Sequence, residues 1–588
     1  MSENKHDSEL LSNPYGETAY ETFRGLEKAY VDKSLFIKEL DGKNSPRYPV
    51  LLRPRRFGKS TFVQMLKCFY DISYKDRYEE IFSGTDIYEE NLESHNSYHV
   101  IDFDFSGVSG KNEDTLANGC VSAISFGLSN FLGRYPDFVF NPSVSDRETP
   151  SAFIKYFFNA YNSYHSKKSL YVMIDEYDNF ANSVLSKDLD LFQAITSAGG
   201  FLKDFYAAVK EGAKNIVAKT FISGVSSVSL DSLTSGFNIA LNVTSDACFN
   251  EYAGFTEEEL AKLIPQLVDT EKLGANVGEI IARMKPVYDG YCFSPEAERT
   301  VFNSSMTLYY LRTVQKKGRF LAPEKCLDPA SDHDGDKLKQ LFEIAEDGLA
   351  DEIIDGYLNG DEFFVENLAE NINLNKSAKY DRDRLLSMLY YLGYLTIDPK
   401  LSSDDMVALK VPNLFMSKLF AECAAEFRLR ASQAFCGYEL DISALKDAKD
   451  DISSFAASCT EFLSRMCTNQ VLSHMSEMAI NLALYTKLSS IRGVFAEMQK
   501  SLRIAGDGER FADLVVTVNK GKSNECFYLF ELKYLPKTNS SDHRLQNLME
   551  DASAQALRYK SSIDFSNKNV KAYAMVFVGT ECMHYKCI

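Results

Sequence analysis

At 588 residues the chain is too long for one hydrophobic core and is expected to divide into several units. Its 45% hydrophobic and 25% charged residues exclude an intrinsically disordered protein. A net charge of −19 excludes the uniformly basic nucleic-acid binders, so any DNA or RNA contact must use local basic patches.

In chain order, Ala29 to Leu40 (AYVDKSLFIKEL) predicts a short strand or turn leading into a helix, placed to close over a bound base. Val50 to Leu66 (VLLRPRRFGKSTFVQML) predicts an apolar strand, a basic turn ending in Gly58-Lys59-Ser60, and an amphipathic helix. Such a turn cradles the phosphates of a nucleoside triphosphate. Backbone N–H groups of the turn and of the helix N-terminus face the phosphates, a lysine reaches their outer oxygens, and a hydroxyl ligates Mg²⁺. Arg55, Arg56, Phe57, Gly58, Lys59, Ser60 and Thr61 are therefore candidate ATP-binding residues, with Ser60 a Mg²⁺ ligand. The first glycine of the usual pattern is replaced by Arg53, and Arg53, Arg55 and Arg56 crowd the loop.

His99 to Ser106 (HVIDFDFS) predicts a central strand, followed by helices over Asn112 to Gly133 and Ser151 to Tyr164. Ser169 to Phe180 (SLYVMIDEYDNF) predicts a buried strand that delivers Asp175 and Glu176 to its end. There Asp175 would hold the Mg²⁺ shell and Glu176 would orient or deprotonate the attacking water. A solvated acidic turn is the plainer alternative, and the strands on either side argue against it. Leu185 to Glu211 predicts helix interrupted at Gly199-Gly200, and Lys219 to Ser223 the next strand, with Ser223 placed as a sensor of the outer phosphate. Strand and helix in alternation predict a parallel sheet with helices on both faces, with Lys59, Asp175 and Ser223 at the carboxyl ends of the strands.

From Thr256 the pattern becomes helical, opening on a capping box between Thr256 and Glu259. Val287 to Ser294 (VYDGYCFS) is a glycine turn between tyrosines, and Ala322 to Asp336 is the predicted linker. Leu385 to Asp398 predicts helix, glycine turn and strand, which with VALKVPNLFMSKLF forms a small winged-helix-like unit. Further on come a helix over Leu484 to Leu502, a hairpin of Glu509 to Val518 with Cys526 to Leu535, a helix over Asp542 to Lys560, and a last strand over Ala572 to Val578. Cys582 to Cys587 reads as a loose tail rather than a zinc site. The remaining cysteines, of 12 in all, lack framework spacing. The opening MSENKHDSELL lacks an apolar segment, and no apolar run approaches membrane-spanning length. Reduced thiols in the cytoplasm, or the nucleus of a eukaryote, and no membrane contact are the expectations.

The hairpin carries a second constellation. Glu531 and Lys533 lie two apart and share a face of their strand, and the hairpin brings Asp513 beside them. Two converging carboxylates bind a divalent cation, so Asp513 and Glu531 are candidate metal ligands, and Lys533 can orient or activate water for phosphodiester cleavage. The plainer alternative is a cross-strand salt bridge, but charges in an apolar strand are costly to bury. Glu497, expected on the preceding helix, is a possible third carboxylate, although a solvated helix face suits it better. Gln555 and Tyr559, one helical turn apart, face the same pocket in this reading.

These pieces carry a resemblance. YVDKSLFIKEL, RPRRFGKST, HVIDFDFS, MIDEYD, FISGVSSVSLDSLTSGFN, YAGFTEEEL and VYDGYCFS resemble the AAA-ATPase-like family, in which RPRRFGKS is the customary phosphate loop. The C-terminal block resembles the PD-(D/E)xK nuclease-like domain that follows it in that family, with Asp513 and Glu531-Leu532-Lys533 as its signature. LYYLGYLTI and LKVPNLF look like the family's connecting region. AGDGERFAD departs from the family's acidic Gly-Arg stretch by a shifted glycine, with Arg510 retained.

The resemblance implies an α/β multidomain chain: a P-loop ATPase domain over 1–255, a helical lid over 256–330, a helical or winged-helix-like connector over 331–440, and a restriction-endonuclease-like domain over 441–588. It implies an ATP hydrolase with catalytic Glu176, gating a Mg²⁺-dependent DNA or RNA nuclease with catalytic Asp513, Glu531 and Lys533. ATP and nucleic acid are the partners, with a second copy of the chain where ATPase sites assemble between subunits. The competing expectation is a nucleotide-switched interaction protein whose nuclease fold no longer cuts.

Overall fold

A computed structural model of the chain describes residues 10–588 apart from 26–27, 186–187, 197–199, 229–235, 322, 324–331, 371, 373–378, 404, 432–439, 467–476, 490, 492, 505–507 and 537–540. Most of the expected linker, Gly199 of the expected helix break and the start of the glycine stretch before Asp513 lie outside the described residues. The chain forms two compact units, one of Met1–Leu349 with Glu362–Met416, the other of Ala350–Asp361 with Ser417–Ile588.

In the first unit, β1 (Pro49–Leu52) runs into the basic turn and then α1 (Lys59–Tyr70). β2 (His99–Asp104) follows, then α2 (Glu113–Arg134), started by an Asn112–Thr115 capping box, and α3 (Pro150–Asn162), started by Thr149 with proline in its first turn. β3 (Leu170–Asp175), α4 (Phe201–Gly212), β4 (Val217–Gly224) and β5 (Leu241–Asn242) complete the sheet. Its order is β2-β3-β4-β1-β5, and every pairing is parallel. All six residues of β3 are buried, as expected of a strand covered on both faces. β4 lies between the phosphate-loop strand and the acidic strand, with Ser223 opposite Leu51. Lys59, Asp175 and Ser223 thus gather at the carboxyl ends of the central strands.

The helical part begins with α5 (Glu257–Leu267), and the expected capping box forms, Thr256 and Glu259 bonding each other's backbone N–H. α6 (Val277–Tyr288) and α7 (Ser304–Lys317) follow. β6 (Phe363–Val365), α8 (Arg382–Tyr391), β7 (Thr396–Ile397) and β8 (Val407–Lys410) form a small antiparallel sheet of order β6-β8-β7 with its helix.

In the second unit, α9 (Ser453–Met466) and α10 (Glu477–Ser489) precede β9 (Val494–Ile504), β10 (Gly508–Val518), β11 (Cys526–Leu535), α11 (Asp542–Lys560), β12 (Val570–Val578) and β13 (Glu581–Cys587). The sheet order is β13-β12-β11-β10-β9. β10 and β11 are the expected antiparallel hairpin, with Leu514 opposite Phe530, while α11 carries the chain across to β12, parallel to β11. Leu514, Val516, Phe530 and Leu532 all pack on one face, against α9 and α10. Val515 and Leu529 pack on the other, against Ala556 and Tyr559 of α11.

Two expectations are corrected here. The helix read over Leu484 to Leu502 stops at Ser489, and Glu497 lies instead on β9, opposite Val515. Pairing with β10 overrides the helix preference of the Glu-Met-Gln-Lys run. The tail from Cys582 is a paired strand, not a loose end. It closes the free side of β12, and the Cys582 N–H donates to Thr460 Oγ1 at 2.9 Å. Among the described residues no helix is long and apolar enough to cross a membrane.

Candidate functional site

Where β1 ends, the chain turns sharply. Arg56 (φ 69°) and Gly58 (φ 94°) both adopt the left-handed region, and Gly58 is the N-cap of α1. That conformation is disfavoured at Arg56 and persists because neighbours hold the loop. Arg56 O accepts from Ser304 Oγ and from the Ser305 N–H, each at 3.1 Å, and Phe57 O accepts from the Gly254 N–H at 2.9 Å. The Phe57 ring stands edge-on to Tyr291 and Phe293, with centroids 4.9 and 5.4 Å away. The VYDGYCFS turn is therefore the floor beneath the phosphate loop. Its Gly290 (φ 97°) cannot carry a side chain, because a Cβ there would lie 2.0 Å from Pro412 O.

Arg53 points away from the cavity and is 1% exposed. Its guanidinium donates to Leu52 O (2.7 Å), Thr244 O (2.9 Å) and Phe249 O (2.6 Å), and it sits over the Phe293 and Tyr252 rings. The arginine in the place of the first glycine is thus a brace for the loop. Arg53→Met, which keeps the length and loses the donors, should cost on the order of 3 kcal/mol of stability. A denaturant midpoint unchanged from wild type would show that the brace carries no load.

The loop opens into a cavity of about 590 Å³. Residues 55–62 supply one wall together with Asp104, Ser106, Glu176 and Asn179. Pro14, Gly16, Tyr30, Val31, Leu263 and Leu308 supply apolar surface of the kind a nucleobase needs. The segment from Ala29 enters this wall ahead of its helix (Phe36–Asp41), and Lys33 pins it by bonds of 2.7 Å to Glu251 O, ahead of α5, and to Glu259 Oε2 in the first turn of α5.

Lys59 is 5% exposed, its ammonium 3.3 Å from Pro54 O and 3.5 Å from Glu176 Oε1. Asp175 is buried at the end of β3, where one of its oxygens accepts from Ser223 Oγ and from the Glu176 N–H (3.0 Å). Burial first, and the Glu176 charge second, push the Asp175 carboxyl above its ordinary value, against the pull of the Ser223 and Ser60 hydroxyls and of Lys59. Glu176 itself takes φ 53°, a strained backbone in the place where chemistry is expected. The donors suit a magnesium nucleotide. Lysine and helix N-terminus match phosphate, and one hydroxyl with one carboxylate matches an ion that keeps most of its other ligands from water and phosphate. Among the described residues no group of three or more His, Cys, Asp or Glu is placed to hold a metal by itself.

Sequence reading missed the third acid of IDEYD. Asp178 is fully buried and accepts from the Val225 N–H (3.0 Å), the Ser226 N–H (2.8 Å), Ser226 Oγ (2.8 Å) and Asn182 Nδ2. It locks the end of β3 to the end of β4, and so Glu176 to Ser223. The only sequence signal was an acid three residues past Asp175 facing a Ser-Ser pair in the next strand exit.

In the second unit, continuing the Leu514–Phe530 register sets Asp513 opposite Glu531, and the Leu532 N–H donates to Asp513 Oδ2 at 2.8 Å. Both carboxylates are buried, and Glu531 Oε2 has no hydrogen-bond partner among the described residues. Burial, then the nearby Asp513 charge, push Glu531 up to about 8. Lys533 Nζ lies 3.5 Å from Glu531 Oε1 and 3.1 Å from Glu477 Oε1. Glu477, on α10, is an acid that sequence reading missed, since 54 residues and a sheet separate it from Glu531 in the chain. Glu497 pairs with Lys500 on β9. On α11, Tyr559 is pushed up by burial and by Glu531 and Asp513, and Gln555 lies one turn before it, partly exposed.

A parallel sheet with a phosphate loop, an acid pair on the next strand but one, and a hydroxyl on the strand between is consistent with a P-loop ATPase fold in the first unit. Residues 14–234 match the family described as predicted AAA-ATPase, AAA-ATPase-like. An uncharacterized protein in the vnfD 5′ region of Azotobacter chroococcum mcd 1 is 24% identical over 298 residues, covering 49% of this chain and 50% of that protein. The chain thus spans about half the length of that curated relative. Among solved structures, a Walker-type ATPase of Pyrococcus abyssi is 11% identical over 66% of this chain and 96% of its own, with a TM-score of 0.37. The Aeropyrum pernix ORC1 protein in complex with DNA is 11% identical over 68% and 92%, with a TM-score of 0.25.

Proposed function

We propose that the first unit binds ATP with Mg²⁺ in the cavity below α7 and hydrolyses it, and that this cycle gates a metal-dependent phosphodiesterase built on the C-terminal sheet. The observation that carries the reading is the convergence of Lys59, Ser60, Asp175, Glu176 and Ser223 at the carboxyl ends of the central strands, beside a cavity of about 590 Å³. Lys59 leaves the Pro54 carbonyl for the outer phosphates. Ser60 and Asp175 would hold the Mg²⁺, whose charge would stabilise the phosphate oxygens and favour the ionised Asp175 carboxylate. Glu176 accepts a proton from the attacking water, and Ser223 orients that water or the outer phosphate. Arg55, Arg56, Phe57, Gly58 and Thr61 complete the phosphate cradle.

In this reading residues 1–255 are the ATPase, 256–330 its lid, 331–440 a winged-helix-like connector and 441–588 a restriction-endonuclease-like nuclease. Asp513 and Glu531 hold Mg²⁺ there, Lys533 acts on water or the scissile phosphate, and the substrate is DNA or RNA in the cytoplasm or a nucleus. A second reading, a nucleotide-switched interaction protein with a silent nuclease fold, is favoured by one observation: Lys533 is ion-paired to Glu477 as well as to Glu531.

The direct test is calorimetric titration of ATP with Mg²⁺ into wild type and Lys59→Ala. Loss of a desolvated, charge-assisted contact should weaken affinity by roughly tenfold or more. Equal affinities would remove Lys59 from the site and the reading with it.

A further inference from the structure

We propose that Arg55 supplies, from within the same chain, the cation that stabilises charge developing on the transferred phosphoryl group. The inference rests on the ATP hydrolysis proposed above.

The three loop arginines have separate fates. Arg53 is spent on carbonyls behind the loop. Arg56 also lines the cavity, with its carbonyl held by the start of α7, but the bond to the turn after Glu176 is made by Arg55. Arg55 lines the cavity together with Lys59, Asp104, Ser106, Glu176 and Asn179. Its Nη2 donates to Asn179 Oδ1 at 3.0 Å, while the Asn179 N–H donates to Glu176 O at 3.1 Å and Asn179 Nδ2 to Ser106 O at 2.8 Å. The guanidinium is thus tied to the turn that immediately follows the proposed base. Lys59 Nζ lies 3.5 Å from Glu176 Oε1. Two cations therefore line the cavity with the carboxylate that would activate water, Lys59 beside its side chain and Arg55 tied through Asn179 to its backbone.

The chemistry suits this division. In hydrolysis a water oxygen bonds to the outer phosphorus, Glu176 takes a water proton, and the bond to the bridging oxygen breaks with its electron pair leaving on ADP. Negative charge gathers on the bridging and equatorial oxygens at that moment. A guanidinium has five N–H donors in a fixed planar fork, and the bond to Asn179 uses one of them. It can therefore stay tethered and still address phosphoryl oxygens. Arginines in this role contribute about 10³–10⁵-fold to turnover elsewhere. A residue on the phosphate loop itself needs no neighbouring subunit to deliver it.

The test uses the full chain as wild type, Arg55→Ala, Arg55→Lys and Asn179→Ala. It measures affinity for ATP, affinity for ADP with aluminium fluoride (a mimic of the transferring group) and single-turnover hydrolysis. Arg55→Ala should lose far less affinity for ATP than turnover, since the rest of the cradle still holds the phosphates, and an unchanged circular dichroism spectrum and unfolding temperature show that it is folded. It should lose roughly 10²-fold or more in both hydrolysis and aluminium fluoride affinity, the pattern of a contact made in the transition state. Arg55→Lys should recover part of each, and Asn179→Ala should lose less than about tenfold. Mixing Arg55→Ala with Glu176→Gln should restore nothing, because both groups must belong to one chain. Restored activity in the mixture, hydrolysis by Arg55→Ala within threefold of wild type, or equal losses in Arg55→Ala and Asn179→Ala would each overturn the assignment. A wild type that binds ATP but never cleaves it overturns the ATPase reading and this inference together.

Discussion

Glu176→Gln is expected to bind ATP with near wild-type affinity and to hold it uncleaved, with turnover lowered by about 10²–10⁴-fold. Glutamine keeps the shape, the backbone at φ 53° and a neutral partner for Lys59, but it cannot take a proton from water. Asp175→Ala should behave differently. It removes the oxygen that Ser223 and the Glu176 N–H share, and with it the proposed Mg²⁺ ligand, so nucleotide affinity itself should fall. Phosphate release under single-turnover conditions, alongside retention of labelled ATP on a desalting column, separates the two. Glu176→Gln hydrolysing at the wild-type rate would take the role of base away from Glu176.

The second large effect is expected at the C-terminal sheet. Asp513→Asn, Glu531→Gln and Lys533→Ala should each abolish cleavage of a plasmid and oligonucleotide panel, because the cation needs both carboxylates and the lysine acts on a different atom. Asparagine at 513 keeps an acceptor for the Leu532 N–H, so folding should survive. Packing against α9 and α10 through Leu514, Val516, Phe530 and Leu532 is untouched by any of the three. Cleavage should need Mg²⁺ or Mn²⁺ and fail in Ca²⁺, whose longer and looser coordination misplaces the reacting groups.

The pH dependence follows from Glu531. Its carboxyl stands at about 8 in the fold against an ordinary 4.5, so the folded chain carries a proton there that the unfolded chain has lost. Stability from this group is therefore present below about 4.5 and lost as pH rises through about 8. A cation must displace the same proton, so cation affinity should climb over that window. Glu531→Gln should flatten the fall in unfolding temperature between those limits. Metal-dependent cutting that persists in Asp513→Asn would locate the activity elsewhere, and an absence of cutting with nucleic acid still bound would favour the switched interaction protein.

What the sequence disclosed was mostly local. The phosphate loop, the acid pair after a buried strand, the Thr256–Glu259 cap and the β10–β11 hairpin all rest on residues within one turn, one strand or one hairpin. The structure has them where their spacing put them. What it hid was long-range. Nothing near Arg53 announces that carbonyls of Thr244 and Phe249 await it, and Asp178 gains its meaning only when β4 arrives beside β3. β9 was hidden for the same reason. Its Glu-Met-Gln-Lys run favours helix alone and becomes strand only against β10. Glu477 meets Lys533 only after the sheet has formed.

The measurement that bears most directly on the central claim is a crystal structure of the full chain grown with Mg²⁺ and a non-hydrolysable ATP analogue. The account predicts the triphosphate lying along the N–H groups of Gly58 to Thr61, with Mg²⁺ between Ser60 and Asp175. Lys59 should have moved from the Pro54 carbonyl to the outer phosphate, with Glu176 facing the outer phosphorus across one water. An analogue bound anywhere else, or bound there with Lys59 still on the Pro54 carbonyl and no cation at Asp175, would contradict it.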